Sequence, residues 1–571
     1  MTALEQRRLL SVSAHIRLLG NGDAIQAGQS VHVNALPTAS GLGTSFGNGD
    51  AITSHIQWDF GDKHGAYNRL PGFNAAHVYD KPGKYKLTLR VTDPTGQTDT
   101  ASRIIQVSPA TRRAIYLNPW GNDRNNGKTP DTAVASLARA KQLLGDNTAL
   151  FFRSGMMFKM KNALSLPFSN VIVGAYGKGK TPRIRLDNTA RYAPMFLFSN
   201  SSNQITVENL VLYGKGRAHG EAIRPDGTNI TIKGCDFENL DSAIMESGAP
   251  TGLLVYNNFS GPTRSYFAYV KGTDQAFLGN TVRDSTEQHN IRIYGSRILC
   301  YGNDMTNYPD GSSLATLRVN DGANIYWSGN ILRAGQMLVG PLGPASAGAT
   351  AKDFVNTVVV ENNRWKEVKG HWSIHDRIDI NPGTANVMVR NNYIDATDAN
   401  AISATTSATH IFKTGPVYRT IKNLHVISNT AVNAGKTGSF FSVAGVQTNA
   451  ITLQDSLYVA PDLDIGPFAT AAVRVIGRSD LLNFTSVASG GGIQGNVWNM
   501  PVGANSHGVN YVSDAHAGDT GYRTPAEWSS DFPKQVKKDH FQRLLARDLN
   551  AKGRPKKKSM ASSAGAVNFA L

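Results

Sequence analysis

The sequence predicts an all-β fold in which a small N-terminal β unit precedes a long parallel β-helix. The first observation behind this is a recurring asparagine. Asn258, Asn280, Asn303, Asn330, Asn363, Asn392, Asn429 and Asn496 each close a short hydrophobic strand, as in LLVYNNF, AFLGNTV, ILCYGND and VVVENNR. Their steps of roughly 22 to 40 residues are those of a stacked repeat protein. The second observation is strand chemistry. The coils are rich in Val, Ile, Tyr and Phe, contain no helical stretch of their own, and lack the LxxLxL spacing of a leucine-rich repeat. The third is composition: 571 residues, 56 glycines and only 18% charged residues leave ample chain for a core and for more than one domain.

Residues 1–23 come first. No hydrophobic run reaches the roughly 18 residues of a transmembrane span, and the uninterrupted apolar region of a secretory signal is missing. The segment ALEQRRLLSVS resembles the LEPR-XLL segment at the N-termini of many planctomycete envelope and secreted proteins. Leu4, Glu5, Arg7, Leu9, Leu10 and Ser11 fit it, and Gln6 occupies the usual proline place. The resemblance implies export, to a secreted or cell-surface location.

Residues 24–108 read as a separate unit, with alternating apolar positions punctuated by Gly, Pro and Asp. Its strongest marks are WDFGD from Trp58 to Asp62 and HVYDKPGKYKLTLRVTD from His77 to Asp93. Trp58 is a natural core aromatic, Pro82-Gly83 sets a tight turn, and Tyr85, Leu87, Leu89 and Val91 alternate into the core. These residues resemble the polycystic kidney disease (PKD) domain, an immunoglobulin-like sandwich. Trp58, Phe60, Gly61, Asp62, His77, Tyr79, Pro82, Gly83 and Tyr85 match its signature, while Lys63 replaces the usual glycine and precedes an insertion. The resemblance implies a spacer or an adhesion unit rather than a catalytic one.

The β-helix is expected over residues 114–515. From Ile115, a strand, a polar loop and a helix with Ala133, Leu137, Ala140 and Leu144 at helical spacing lead to the buried strand ALFFRSGMMF. This order resembles the entry of right-handed parallel β-helix proteins such as pectate and alginate lyases, where an N-terminal capping helix closes the stack. A cap protects an otherwise open strand edge. The loop oxygens of Asn122, Asp123 and Asn125 form a turn, with calcium as the alternative. Asparagine in every coil suits a left-handed turn and a ladder of stacked amides, a structural role. In that register Cys235 and Cys300 lie three coils apart, on the order of 14 Å, so no disulfide joins them.

Chemistry is expected where side chains leave the stack. In each coil a further strand precedes a glycine turn: EAIRPDG, SAIMESG, FAYVKG, NIRIYG and TLRVNDG, ending at Gly227, Gly248, Gly272, Gly295 and Gly322. Alternation with Ile291 and Ile293 inward sends Asn290, Arg292 and Tyr294 outward, Tyr269 and Lys271 outward from the coil below, and Arg318 and Asn320 from the coil above. This groups Lys, Arg and Tyr at a spacing of about 4.8 Å. Such a patch suits β-elimination or C5 epimerisation of an acidic polysaccharide, which needs a uronate carboxylate neutralised, a base for the C5 proton and an acid for the leaving oxygen. Arg292 or Arg318 would neutralise, Lys271 with a pKa lowered by its cationic neighbours would be the base, and Tyr294 the acid. His289, after Glu287 in TEQHNIRIYG, is a second candidate base. Tyr269, Asn290 and Asn320 would bind substrate. No cofactor is required by this chemistry, and the protein is expected to act as a monomer.

Two other readings compete. A glycoside hydrolase needs paired carboxylates, and Asp226, Glu246 and Asp321 are available but not on one neighbouring pair of coils. A non-catalytic surface or adhesion protein would use the PKD-like unit and the basic tail. A metal at His371, His375, Asp376 and Asp379 in HWSIHDRIDIN is disfavoured, because strand alternation scatters the four over two faces. The tail, residues 516–571, opens with an amphipathic helical pattern, FPKQVKKDHFQRLLARDL, and ends in GRPKKKS. Residues 534–558 carry about +8 of the chain's net +16. No nucleic-acid recognition motif accompanies these bases, so they read as a solvated or surface-adhering tail.

Overall fold

The computed structural model describes residues 11–20, 23–36, 43–217, 219–306, 315–340, 355–366, 377–381, 383–397, 399–405, 420–432 and 440–444, and shorter segments from there to 541. The chain divides into two compact units, residues 1–305 and 306–571.

The first unit opens with a β-sandwich. Strands β3 (Ala24–Gln26), β6 (His55–Asp59), β7 (Arg69–Pro71), β9 (Gly83–Thr92) and β10 (Thr98–Ser108) form one sheet in the order β3-β10-β9-β6-β7. Strands β2 (Arg17–Leu19), β4 (Ser30–Asn34) and β8 (Asn74–Val78) form the other. Trp58, Phe60, Leu87, Leu89 and Val91 are buried between them, as the alternation requires. The WDFGD and HVY segments pack on each other: the Phe60 ring stacks on His77 at 4.9 Å, and His77 Nε2 lies 3.2 Å from Asp62. Tyr85 is half-buried rather than in the core, because its hydroxyl reaches out to donate to the Lys81 carbonyl at 2.9 Å. Residues 11–20, which sequence places in the export segment, belong to the sandwich, since β2 pairs antiparallel with β4, and β1 (Val12–Ser13) with β5 (Ser45–Phe46). Of the LEPR-like segment, only Ser11, Val12 and Ser13 are among the described residues.

The rest of the first unit is a parallel β-helix of three sheets. The first sheet stacks Arg113–Leu117, Thr148–Arg153, Ser169–Tyr176, Asn203–Glu208, Thr228–Lys233, Thr251–Tyr256, Thr273–Leu278 and Ser296–Tyr301. The third stacks Pro194–Phe198, Glu221–Pro225, Ser242–Met245, Tyr266–Val270 and Ile291–Ile293, the strands that precede the glycine turns. At the start, Asp123 accepts from the backbone of Ala135 and Ser136 and Asn122 from that of Arg124, so this loop is a turn closed by its own chain. The capping helix α1 spans only Leu137–Leu143, with Ser136 as N-cap. It starts later than the spacing from Ala133 suggests because Val134 is drawn into a bridge with Leu117. In the second unit the same three-strand pattern recurs: Gly322–Ser328 pairs parallel with Val355–Glu361, Ile331–Arg333 with Arg364–Lys366, and Leu317–Val319 with Met337–Val339.

The asparagine ladder is present in both units. Asn258 donates through its backbone and side chain to Asn280 Oδ1, and Asn280 does the same to Asn303. Asn330, Asn363, Asn392 and Asn429 continue the pattern in the second unit, and Asn429 donates to Ser456. Asn496 lies outside the described residues. The left-handed residue is not the ladder asparagine but the one before it: Asn257 (φ 53°), Gly279 (φ 59°), Gly302 (φ 67°) and Asn362 (φ 56°). The ladder asparagine itself serves as a buried inter-coil hydrogen-bonding group. Cys235 and Cys300 are both free and buried, and the first-sheet register separates their coils as expected.

Within the first unit the sandwich docks on the β-helix through polar contacts. Asp274 on the first sheet holds Arg297 bidentately at 2.8 and 2.9 Å and accepts from Asn34 of β4 at 2.9 Å. Asn74 donates to the Gln275 carbonyl, and Gln29 to Asn170. The insertion after Asp62 ends at Tyr67, whose hydroxyl donates to Asn257 at 2.7 Å. His32 is buried here, and desolvation lowers its pKa to about 4, against the pull of Asp274. Among the described residues of the tail, His540–Phe541 extends the second sheet of the second unit by pairing with Val497–Trp498, where sequence periodicity predicted helix. Pairing of an open sheet edge outweighs the local propensity there. The lysines and arginines from Lys534 to Lys558 lie outside the described residues. No helix among the described residues is long and apolar enough to cross a membrane.

Candidate active site

The third sheet of the first unit presents its outer face through strands Tyr266–Val270 and Ile291–Ile293, where Ala268, Val270, Ile291 and Ile293 are fully buried. Tyr269 pairs directly with Arg292 in register, so their side chains leave the stack side by side. Tyr269, Lys271, Arg292 and Tyr294 are all partly exposed. The Tyr269 and Tyr294 rings lie 5.4 Å apart, Lys271 Nζ stands 5.5 Å from the centre of the Tyr269 ring, and the Arg292 guanidinium 5.2 Å from that of Tyr294. Burial and the neighbouring Tyr294 push Tyr269 up to about 12, against the opposing charge of Arg292, so its phenol keeps its proton at neutral pH.

Sequence reasoning missed Tyr266 and Gln288. The Tyr266 hydroxyl accepts from Arg292 at 3.1 Å and donates to Gln288 at 3.1 Å, and its ring lies 5.2 Å from Tyr269. By alternation Tyr266 shares the inward parity of Ala268 and Val270. Its ring stays buried, at 8% exposure, and from the start of the strand only its hydroxyl reaches Arg292. A second tyrosine three residues before Tyr269 was the available signal. Lys271 Nζ also donates to the Ser247 carbonyl at 3.4 Å, which fixes the ammonium over the neighbouring coil.

The other expected members are buried or paired within the fold. Asn290 is fully buried, not outward, because alternation applies only inside the strand and the strand begins at Ile291. Arg318 and Asn320, in the second unit, are 7% and 3% exposed rather than open to solvent. Arg318 Nε donates to Asn320 Oδ1 at 2.9 Å, and Leu338 of the next strand is its partner in register. His289 is buried at 4% exposure, and Glu287 pairs with Arg264 at 2.8 Å near the surface.

The carboxylates act as ties between coils. Asp226 accepts from the backbone of Ser247 and Gly248 at 2.8 and 2.9 Å and from the Ser247 hydroxyl. Glu246 accepts from the backbone of Lys271 and Gly272 at 2.5 and 2.8 Å and from Gln275 at 2.7 Å. Its burial pushes its pKa up to about 7, although these donors pull the other way. Asp321, in the second unit, accepts from Gly322. Each of the three is occupied by its own fold. Among the described residues no group of three His, Cys, Asp or Glu is arranged to hold a metal ion. Asp379 is described and accepts from Gln336 at 3.5 Å, while His371, His375 and Asp376 lie outside the described residues.

Comparison with known proteins gives one family match: residues 21–107 match the PKD domain. No curated protein matches the chain. Among solved structures, the PKD domain of the human VPS10 domain-containing receptor SorCS2 is 24% identical over 17% of this chain and 75% of its own, with a TM-score of 0.14. An endo-xylogalacturonan hydrolase from Aspergillus tubingensis is 11% identical, covering 72% of this chain and 97% of its own, with a TM-score of 0.34. The A-module of a mannuronan C-5 epimerase from Azotobacter vinelandii is 12% identical over 66% of this chain and 93% of its own, with a TM-score of 0.33.

Proposed function

We propose that this is an exported carbohydrate-active protein that removes the C5 proton of a uronate in an acidic polysaccharide, on the outer face of the third sheet, and cleaves the chain by β-elimination. The observation that carries this reading is the Arg292 guanidinium held beside Tyr269, Tyr294 and the Tyr266 hydroxyl, with Lys271 at the same edge. Arg292 pairs with the uronate carboxylate and lowers the cost of carbanion character at C5. Lys271 takes the C5 proton. The electron pair forms the C4–C5 double bond, the C4–O bond breaks, and a tyrosine of the Tyr269–Tyr294 pair protonates the leaving oxygen. Tyrosine faces also stack on sugar rings. Return of a proton to the opposite face of C5 would give epimerisation with the same parts.

A hydrolase is less well supported, because Asp226 and Glu246 spend their oxygens on the turns of the next coil. The test is a panel of polyuronates monitored for absorbance of unsaturated ends. Absorbance that grows with the wild type and is lost in Lys271→Ala and Arg292→Ala supports elimination. Absence of absorbance together with C5 deuterium uptake from heavy water indicates epimerisation. Absence of both on every polyuronate refutes the reading.

A further inference from the structure

We propose that the outer side of the first sheet carries a second, non-catalytic binding site for an acidic saccharide at the opening of the β-helix. A cavity of about 370 Å³ lies there, lined by Tyr116, Pro130, Arg153, Tyr176, Gly177 and Lys178. That volume falls within the range of small-ligand sites. The register builds it: Ile115, Leu117, Leu150 and Phe152 are fully buried, so Tyr116 and Arg153 turn outward, and Arg153 pairs directly with Tyr176 on the next strand.

The lining has the chemistry of a carboxylated sugar's partner. Tyr116 and Tyr176 meet edge to face at 4.9 Å and form an aromatic corner, extended by Phe151 at 5.7 Å from Tyr116. Arg153 brings a planar guanidinium suited to a carboxylate, and the exposed Lys178 adds a second cation; no acidic residue lines the cavity. The Tyr176 hydroxyl is buried and makes no well-formed hydrogen bond, although a buried polar atom normally has one, and the Arg153 guanidinium beside it is its one polar neighbour in the lining close enough to pull down a pKa that burial raises. A sugar hydroxyl or carboxylate in the cavity would satisfy it. Trp120, on the turn that follows the first strand, is 75% exposed, which gives a long saccharide a further aromatic surface in this part of the chain.

This site lies on a different sheet from the Arg292 cluster and does not rest on elimination chemistry. Its test uses full-length protein carrying Lys271→Ala and Arg292→Ala, so that the third-sheet face is disabled. Calorimetric titration with a galacturonate hexamer should show binding that weakens at high salt, while a neutral glucose hexamer should not bind. Adding Arg153→Ala and Lys178→Ala should weaken the galacturonate affinity at least tenfold. Tyr176→Phe, which keeps the ring packing, should weaken it roughly three- to tenfold. Absence of galacturonate binding in the Lys271→Ala, Arg292→Ala background overturns the proposal, as does binding that both sets of variants leave unchanged.

Discussion

At the scale of single residues, the Arg292 guanidinium is the group on which the proposed chemistry turns. Arg292→Ala is expected to lower turnover about 100-fold or more, the usual cost of removing a preorganised charge-stabilising group. Arg292→Lys should recover only part of the loss, since an ammonium lacks the planar fork; steady-state kinetics on a polyuronate check both. Arg292, Tyr294, Tyr269 and Lys271 were legible in the sequence because they sit inside strands, or directly after them, where alternation holds. Asn290 was misread because it stands one residue before its strand, and Tyr266 was missed because it starts one. Burial of Arg318 and Asn320 had no local signal, since alternation with Leu317 and Val319 inward sends both outward.

Glu246 allows a sharper residue-scale test. Its folded pKa, about 7, lies above the ordinary glutamate value of 4.5, so the folded protein holds this proton over a range where the unfolded chain has lost it. The unfolded state then binds fewer protons, and stability falls as pH rises between about 5 and 7. Glu221, also raised to about 7 by burial despite its pairing with Arg224, contributes with the same sign. Melting midpoints should decline across this window, and Glu246→Gln should flatten the decline. A Glu246→Gln profile as steep as the wild type would remove Glu246 as a source of the effect.

At the scale of elements, the coil turns are held by stacked glycines and stacked asparagines. A Cβ on Gly295 would lie 2.0 Å from the Gly272 carbonyl oxygen, a backbone atom that cannot move without shifting the coil. Gly295→Ala should therefore destabilise the fold by about 1–3 kcal/mol. Asn280→Ala removes the acceptor of the Asn258 backbone and side chain and the donor to Val255, leaving buried polar groups unmet at a cost of about 2–4 kcal/mol. Chemical denaturation measures both. The repeat of asparagine and glycine is what made the β-helix readable from sequence. The short length of α1 was not readable, because the pull of Leu117 on Val134 is a tertiary contact.

At the scale of the whole molecule, the PKD sandwich is docked on the β-helix within residues 1–305 rather than joined as a loose spacer. Its motif residues Trp58, Phe60 and Tyr79 fill its own core, as sequence indicated. The docking residues Asn34, Tyr67 and Asn74 carry no family signature, and their partners are about 190 to 240 residues away in sequence, so no local pattern announces them. Asp274→Ala would leave Arg297 and Asn34 without their shared acceptor and should cost about 3–5 kcal/mol. Limited proteolysis should then release a sandwich fragment that the wild type retains.

The proposed activation of a uronate C5 proton on the third-sheet face is the step common to elimination and epimerisation. The most direct measurement is the C5 proton signal of a polyuronate followed by nuclear magnetic resonance in heavy water. The signal should disappear with the wild-type protein and decay about 100-fold more slowly with Arg292→Ala. A C5 signal that persists on every polyuronate, or decays equally fast in the Lys271→Ala, Arg292→Ala double variant, would refute proton activation at this face.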